Sequence, residues 1–270
     1  MSNYKHGIRT RRLATQLSVP ITSDGCIQCV VGTAPVNLAE DPYDTVNKPF
    51  MFHSKAAAIA GLGYCTDFKN YTLCQSMYAS FDVFAVAPII MINVLDPTRH
   101  VKAELSKTYE VAAGKINIKE TGILLDQLQI GSPGESDKLY EPEKDYIASF
   151  NADGTVTVAV VSTGAAAAET SLKATYTQID PEAVTYEDVI GSYNVKTKKR
   201  TGMELIGRVH QRFGVVPSLL LAPGWSHITA VNLALNAKAQ LISSLFTAKV
   251  VSDLDTAEGK ADGMENVKEY

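Results

Sequence analysis

A chain of 270 residues with 46% hydrophobic and 20% charged residues is composed like an ordinary soluble globular protein long enough for two domains, which excludes disordered and fibrous classes. A formal net charge of -4 gives no global electrostatic reason to bind nucleic acid or an anionic membrane, so any such binding has to be local. No run approaches the roughly 18 apolar residues of a membrane helix. Met1 to Gly7 lack the apolar core of a signal peptide, and four cysteines are too few for a disulfide scaffold, so the reading is of a protein kept in a reducing cytoplasm.

The first twenty residues differ from the rest. Lys5, Arg9, Arg11 and Arg12 stand there without an acid, so +4 on this segment leaves -8 on the remainder of a -4 chain. From Tyr4 to Pro20 there is no helical stripe, which predicts an extended arm made to lie on another surface. Cys26 to Thr33 reads as a buried strand, followed by a loop to about Lys48. Pro49 to His53 reads as a second strand, and Ser54 as the cap of an alanine-rich helix stopped at Gly61-Leu-Gly63. Asn70 is placed to cap another helix, with Cys74, Met77, Tyr78 and Phe81 on one apolar face. Val83 to Val94 then reads as a long β run.

Between Arg99 and Gln178 the texture becomes β. Lys115 to Lys119 and Thr155 to Val161 alternate with period two, Asn151-Ala-Asp-Gly154 is a hairpin signal after Tyr146 to Phe150, and Leu172, Ala174 and Tyr176 alternate on a further strand. Thr185-x-x-Asp188 and Thr201-x-x-Glu204 resemble capping boxes, the second leading to Leu205, Ile206, Val209 and Phe213 on one face. Val215 to Ala222 reads as a parallel strand covered on both sides. A helix is expected from Ser226 to Phe246, with Ile228, Val231, Leu235, Ile242 and Leu245 on its stripe, and Ala248 to Ser252 as a closing strand. The expected fold class is an α/β core, a mixed sheet with flanking helices, carrying an inserted β-rich domain and an extended N-terminal arm. Its divisions are an arm at 1–22, core halves at 23–98 and 186–252, an outer insertion at 99–185, and a polar tail at 253–270.

Chemistry-bearing residues favour bland roles. Cys26-x-x-Cys29 lies on a strand whose period puts the thiols on opposite faces, and Cys65 and Cys74, nine apart without a nearby histidine, supply no second zinc pair. Leu219 to Ile228 resembles a strand, turn and helix carrying a nucleophile at Ser226. Ile228 stands where a nucleophile elbow needs glycine, so Ser226 is expected as a helix cap and Trp225 as a packing or interface anchor. Phosphate-binding glycine loops are absent, and His6, His53, His100, His210 and His227 have no metal-ligand spacing. Asp180 with Glu182, and Glu141 with Glu143, sit in Pro-containing loops as solvated charge. No catalytic, cofactor or metal site is expected, and the basic arm, lacking aromatics interleaved with its cations for base stacking, is read as docking on protein.

Three stretches resemble the contractile phage tail sheath family, which includes sheaths of phage-derived bacteriocins. Tyr4-Lys-His-Gly-Ile-Arg9 is similar to the segment before the first core strand of sheaths. Cys26 to Pro35 with Asn47-Lys-Pro-Phe50 and its helix resembles the first half of the sheath core. Pro217 to Gly224, the helix after it and Ala248-Lys-Val-Val251 resemble that family's strand, Pro-Gly turn, helix and next strand. The resemblance implies no enzyme and no cofactor. It implies a self-assembling subunit in six-membered rings of a helical lattice, around a tail tube protein and with baseplate and tail terminator proteins as further partners. The virion tail, or a phage-tail-like particle, would be assembled in the bacterial host cytoplasm without nucleic acid or membrane insertion. Tyr4, Lys5, His6, Gly7, Ile8, Arg9, Arg11, Arg12 and Leu13 would form the inter-subunit strand. Family members continue into a C-terminal subdomain, which 253–270 would begin, so these residues alone are expected to assemble poorly. The rival readings are an α/β hydrolase-like enzyme using Ser226 and a nucleic-acid-binding module using the basic arm.

Overall fold

The first apolar runs form strands where their composition predicts them, β1 (Gln28–Gly32) and β2 (Pro49–Phe52), in a computed structural model that describes residues 27–134 and 138–254. Ser54 caps α1 (Lys55–Leu62), its Oγ accepting the Ala57 N–H at 3.3 Å, and Gly63 ends the helix at φ 75°, where a side chain would be strained. α2 (Thr72–Met77) departs from expectation, because Asn70 does not cap it. The Asn70 amide donates to Asp67, and the Thr72 N–H is taken by Thr33 Oγ1 at 3.2 Å, so the cap comes from the end of β1, 39 residues away.

α2 continues into a π-helical turn over Tyr78–Val83. The wider turn changes the angle per residue and breaks the expected face: Cys74 and Met77 are fully buried, whereas Tyr78 is 44% exposed. The expected run from Val83 shortens to β3 (Ile89–Asn93), because Pro88 has no N–H for a ladder and Val83 to Val86 stay in solvent.

Six strands follow: β4 (Leu105–Glu110), β5 (Lys115–Ile118), β6 (Gln129–Gly131), β7 (Tyr146–Phe150), β8 (Val156–Val160) and β9 (Ser171–Tyr176). They form two three-stranded antiparallel sheets, β4-β9-β6 and β5-β8-β7, around their own apolar cluster of Ile116, Ile118, Val156, Val158, Leu172 and Tyr176. Antiparallel pairing explains the alternation in the sequence, since one face packs and the other meets water. Gly154 closes the β7–β8 hairpin at φ 81°.

Next come α3 (Tyr186–Ile190), with the predicted Thr185–Asp188 capping box, and the short ribbon of β10 (Tyr193–Asn194) and β11 (Lys199–Arg200). A 3-10 helix over Gly202–Arg208 leads to α4 (Val209–Phe213). Thr201 makes no side-chain cap here, because its hydroxyl accepts the Ser192 N–H at 2.9 Å, and Glu204 is drawn to Arg200 and Lys238. β12 (Leu219–Leu221), α5 (Thr229–Gln240) and β13 (Lys249–Val251) complete the described chain. α5 is shorter than expected at both ends: Ile228 precedes it without a side-chain cap, and after Gln240 the chain turns through Ser243 and Ser244 with φ 51° and 63°. That turn leaves Leu245 79% exposed while Ile242 stays at 1%.

The principal sheet runs β13-β12-β1-β3-β2, parallel except for β2, which lies antiparallel on β3. β1 is central, and every residue of β3 is buried beside it. The β-rich stretch joins this sheet through a paired stalk: the Asp180 N–H donates to the His100 carbonyl at 2.7 Å and the Lys102 N–H to the Gln178 carbonyl at 2.9 Å. Asp188 adds an ion pair to Arg99 at 3.1 Å; His100 Nε2 lies 3.3 Å from the same carboxylate but without hydrogen-bond alignment, so Arg99 is the firmer partner. Tyr43 donates to Asp126 at 2.7 Å as a further tie.

Burial raises the Asp188 pKa, but the Thr185 N–H and hydroxyl, then Arg99 and His100, outweigh it and hold the carboxyl below its ordinary value. Such a group stabilises the fold above its unfolded pKa, and the contribution disappears as pH falls through the lower folded value. Urea unfolding of the native chain is expected to lose stability more steeply below about pH 4 than that of Asp188→Asn, with Asp188→Asn costing about 1 kcal/mol at neutral pH; equal acid slopes would remove Asp188 from this role. Met91→Ala, at a fully buried position of β3, is expected to cost about 2–5 kcal/mol in the same assay.

Candidate assembly surfaces

The parallel strands β1, β3, β12 and β13 bring their carboxyl ends to one edge of the sheet, and polar side chains join the loops that leave it. Asn93 is fully buried and bonded through both amide atoms: Oδ1 accepts the N–H groups of Ala34 and Leu95, both at 3.1 Å, and Nδ2 donates to the Leu95 carbonyl at 2.9 Å. Asn47, in the left-handed region at φ 50°, accepts the Gly202 N–H at 2.8 Å and so ties the loop before β2 to the 3-10 helix.

Ser226 belongs to the same edge. It is 1% exposed; its Oγ donates to Asp253 Oδ2 at 2.9 Å and accepts the Asp253 N–H at 2.7 Å, while Gly224 donates its N–H to the same carboxylate at 2.7 Å. The expected helix cap is therefore a clasp between the turn after β12 and the residues after β13. Its partner is a carboxylate and its neighbour His227 is exposed, so the hydroxyl is committed to holding two loops. Trp225 is half-buried, its buried indole N–H finds no acceptor among the described residues, and it walls a 650 Å³ groove with Phe68, Asn70, Gln75 and Val184.

Two surfaces suit contacts with other chains. Among the described residues nothing pairs with the outer edges of β13 and β2, so each presents backbone donors and acceptors. The turn after the π-helix projects Val83 at 53%, Phe84 at 71% and Val86 at 44% exposure beside Tyr78, a contiguous apolar knuckle of the kind that marks an interface. Tyr4, Lys5, His6, Gly7, Ile8, Arg9, Arg11, Arg12 and Leu13, the residues expected to form the inter-subunit arm, lie outside the described residues, as does Cys26.

Cys29 is fully buried and burial pushes its thiol up to about 12, too high for a reactive thiolate. Cys65 and Cys74, nine residues apart, come into hydrogen-bonding contact, which lowers the Cys65 thiol and raises the buried Cys74 thiol. Their meeting depends on how the loop after α1 lies against α2, which no local spacing encodes. Among the described residues no three His, Cys, Asp or Glu side chains converge as a metal site, and no helix is long and apolar enough to cross a membrane. Asp180 caps the 3-10 turn Pro181–Ala183, its Oδ1 accepting the Glu182 N–H at 3.2 Å. Glu141 pairs with Lys144 at 2.9 Å.

Ser226→Ala is expected to lower stability by about 1.5–3 kcal/mol in thermal or urea unfolding, the size of a buried hydrogen bond to a charged group. A fluorophosphonate probe is expected to leave Ser226 of the native chain unlabelled; stoichiometric labelling would restore a nucleophilic role.

No protein-family model matches this chain. It is similar to the tail sheath protein of Burkholderia phage BcepMu, with 25% identity over 249 residues, which cover 90% of this chain and 48% of that protein. The chain thus spans about half the length of the curated relative it matches. That likeness to a phage tail sheath protein runs along nine-tenths of the chain, through both halves of the mixed α/β sheet and the β-rich stretch between them.

Proposed function

We propose that this chain is a structural subunit of a contractile tail sheath. Copies would stack as six-membered rings in a helical lattice around a tail tube protein, between baseplate and tail terminator proteins, and the lattice would shorten to drive the tube through a cell envelope. The observation that carries this reading is the likeness to a tail sheath protein over 90% of the chain. Assembly would take place in the bacterial host cytoplasm, and contraction would need no catalytic residue or cofactor. An extended lattice that is metastable releases free energy as rigid subunits gain mutual contact.

The residues supply parts for that task. The polar stitching at the carboxyl edge of the sheet makes a core able to move as a body. The 99–185 stretch, with its own apolar cluster and a paired stalk, would be an inserted domain on the outside of the cylinder. Residues 1–22, with Tyr4 to Leu13 at their centre, would add a strand to an open sheet edge of a neighbouring copy, where main-chain hydrogen bonds give affinity and tolerate change of sequence. A +4 arm and a -8 remainder favour head-to-tail contact, and head-to-tail interfaces build open helical polymers.

Negative-stain electron microscopy and light scattering test this on the 270-residue chain and, beside it, on a version extended at the C-terminus. Hollow cylinders are expected from the longer version, lost on deleting residues 1–20 and weakened by Phe84→Ser with its melting temperature unchanged. Monomers from both versions at every concentration would overturn the proposal.

A further inference from the structure

A cavity of 380 Å³ opens where Arg200 at the end of β11, the 3-10 helix, the last turn of α5 and the turn at Ser243 and Ser244 meet. None of the motifs in the sequence points to it. Its walls carry three cations, Arg200, Arg208 and Lys238, against one carboxylate, Glu204. Both oxygens of Glu204 are engaged, Oε2 by Arg200 Nη1 at 3.1 Å and Oε1 by Lys238 Nζ. Among the described residues that line it, one carboxylate balances only one of the three positive charges.

The donors that remain are specific. Among the described residues nothing accepts the buried Arg200 Nε–H, although the guanidinium is held in place by Glu204 and by the Tyr193 ring, 4.4 Å from its centroid. A buried N–H left unpaired is unfavourable unless an acceptor arrives. Arg208 spends Nη1 on the neutral Gln211 carbonyl at 2.7 Å and is otherwise exposed at the rim. Ser243 Oγ donates to the Gly207 carbonyl at 2.9 Å and pins the strained turn against the 3-10 helix, which keeps the cavity walls in fixed relation. A planar fork, an ammonium and a second guanidinium around one space match an oxyanion, which accepts several charge-assisted hydrogen bonds at once. At about 30 Å³ per water, the volume has room for such a group with part of its hydration.

We propose that this cavity is an oxyanion site, taking a phosphate group or the carboxylate of an acidic polypeptide segment. The two sources share one chemistry. In a polymer of this acidic chain the second source would be a glutamate or aspartate of a neighbouring copy, but the site does not depend on the sheath reading, and its test can fail or succeed without it.

The full chain, labelled with ¹⁵N-arginine, is titrated with sodium phosphate against sodium chloride at matched ionic strength, and separately with a blocked hexaglutamate peptide. A saturable shift of the Arg200 Nε–H resonance is expected, weakened about tenfold in Arg208→Gln, the size of one lost charge-assisted hydrogen bond, and unchanged in Lys115→Gln on the distant β5. Arg200→Lys, which keeps the charge and removes the fork, is expected to weaken binding as well, read by the Arg208 resonance. Saturation by phosphate alone identifies a free anion as the ligand, and preference for the peptide identifies a protein carboxylate. No saturable response to either, or equal affinity in Arg208→Gln and Lys115→Gln, overturns the proposal.

Discussion

Everything in the principal sheet depends on β1 lying between two parallel neighbours, β3 and β12. Parallel strands cannot be joined by a hairpin; each needs a crossover. The chain therefore has to leave β1, pass through α1 and α2 and return as β3, and later come back from the far end of the sequence as β12. The β-rich stretch occupies the interval between these two returns. Its entry and exit are close together because residues 100–102 and 178–180 pair, so a long excursion disturbs neither half of the core.

The same arrangement accounts for where the buried polar groups collect. Four strands ending at one edge leave their last carbonyl and amide groups without ladder partners, and burial makes such groups costly unless they are paired. Thr33, Asn93 and the Ser226–Asp253 clasp meet this demand, each joining loops that are remote in sequence. The result is a sheet whose loops are held to one another by side chains. The surface away from this edge has a different character: an apolar knuckle at Phe84, the outer edges of β2 and β13, unpaired among the described residues, and a cationic cavity beside α5. These are the features on which the proposed contacts with another chain and with an anion rest.

Local features were legible because their physics is local. Ser54 caps α1, Gly63 stops it, Thr185 and Asp188 form their box, and β9 buries Leu172, Ala174 and Tyr176, since capping spans three residues and a strand repeats every two. Asn70, Ser226 and Glu204 carried equally good local signals and were drawn elsewhere. Each had a stronger competitor supplied by another part of the chain: Thr33 for the start of α2, Asp253 for Ser226, and Arg200 with Lys238 for Glu204. The periodicity behind the Tyr78 face failed because it assumes α-helical turns and the helix widens at that residue.

From the sequence alone come the mixed α/β content, the succession of strand and helix, and the β texture between Arg99 and Gln178. These rest on hydrophobic period and order along the chain, which fold together with any tertiary arrangement that buries the same faces. Tertiary structure alone decided the strand order around β1, the pairing of Cys65 with Cys74, the duty of Ser226, and the meeting of Arg200, Arg208 and Lys238 around one cavity. The reason is distance: a hydrogen bond or a charge cluster forms between whatever groups the topology brings within a few ångströms, and no spacing in one dimension records that.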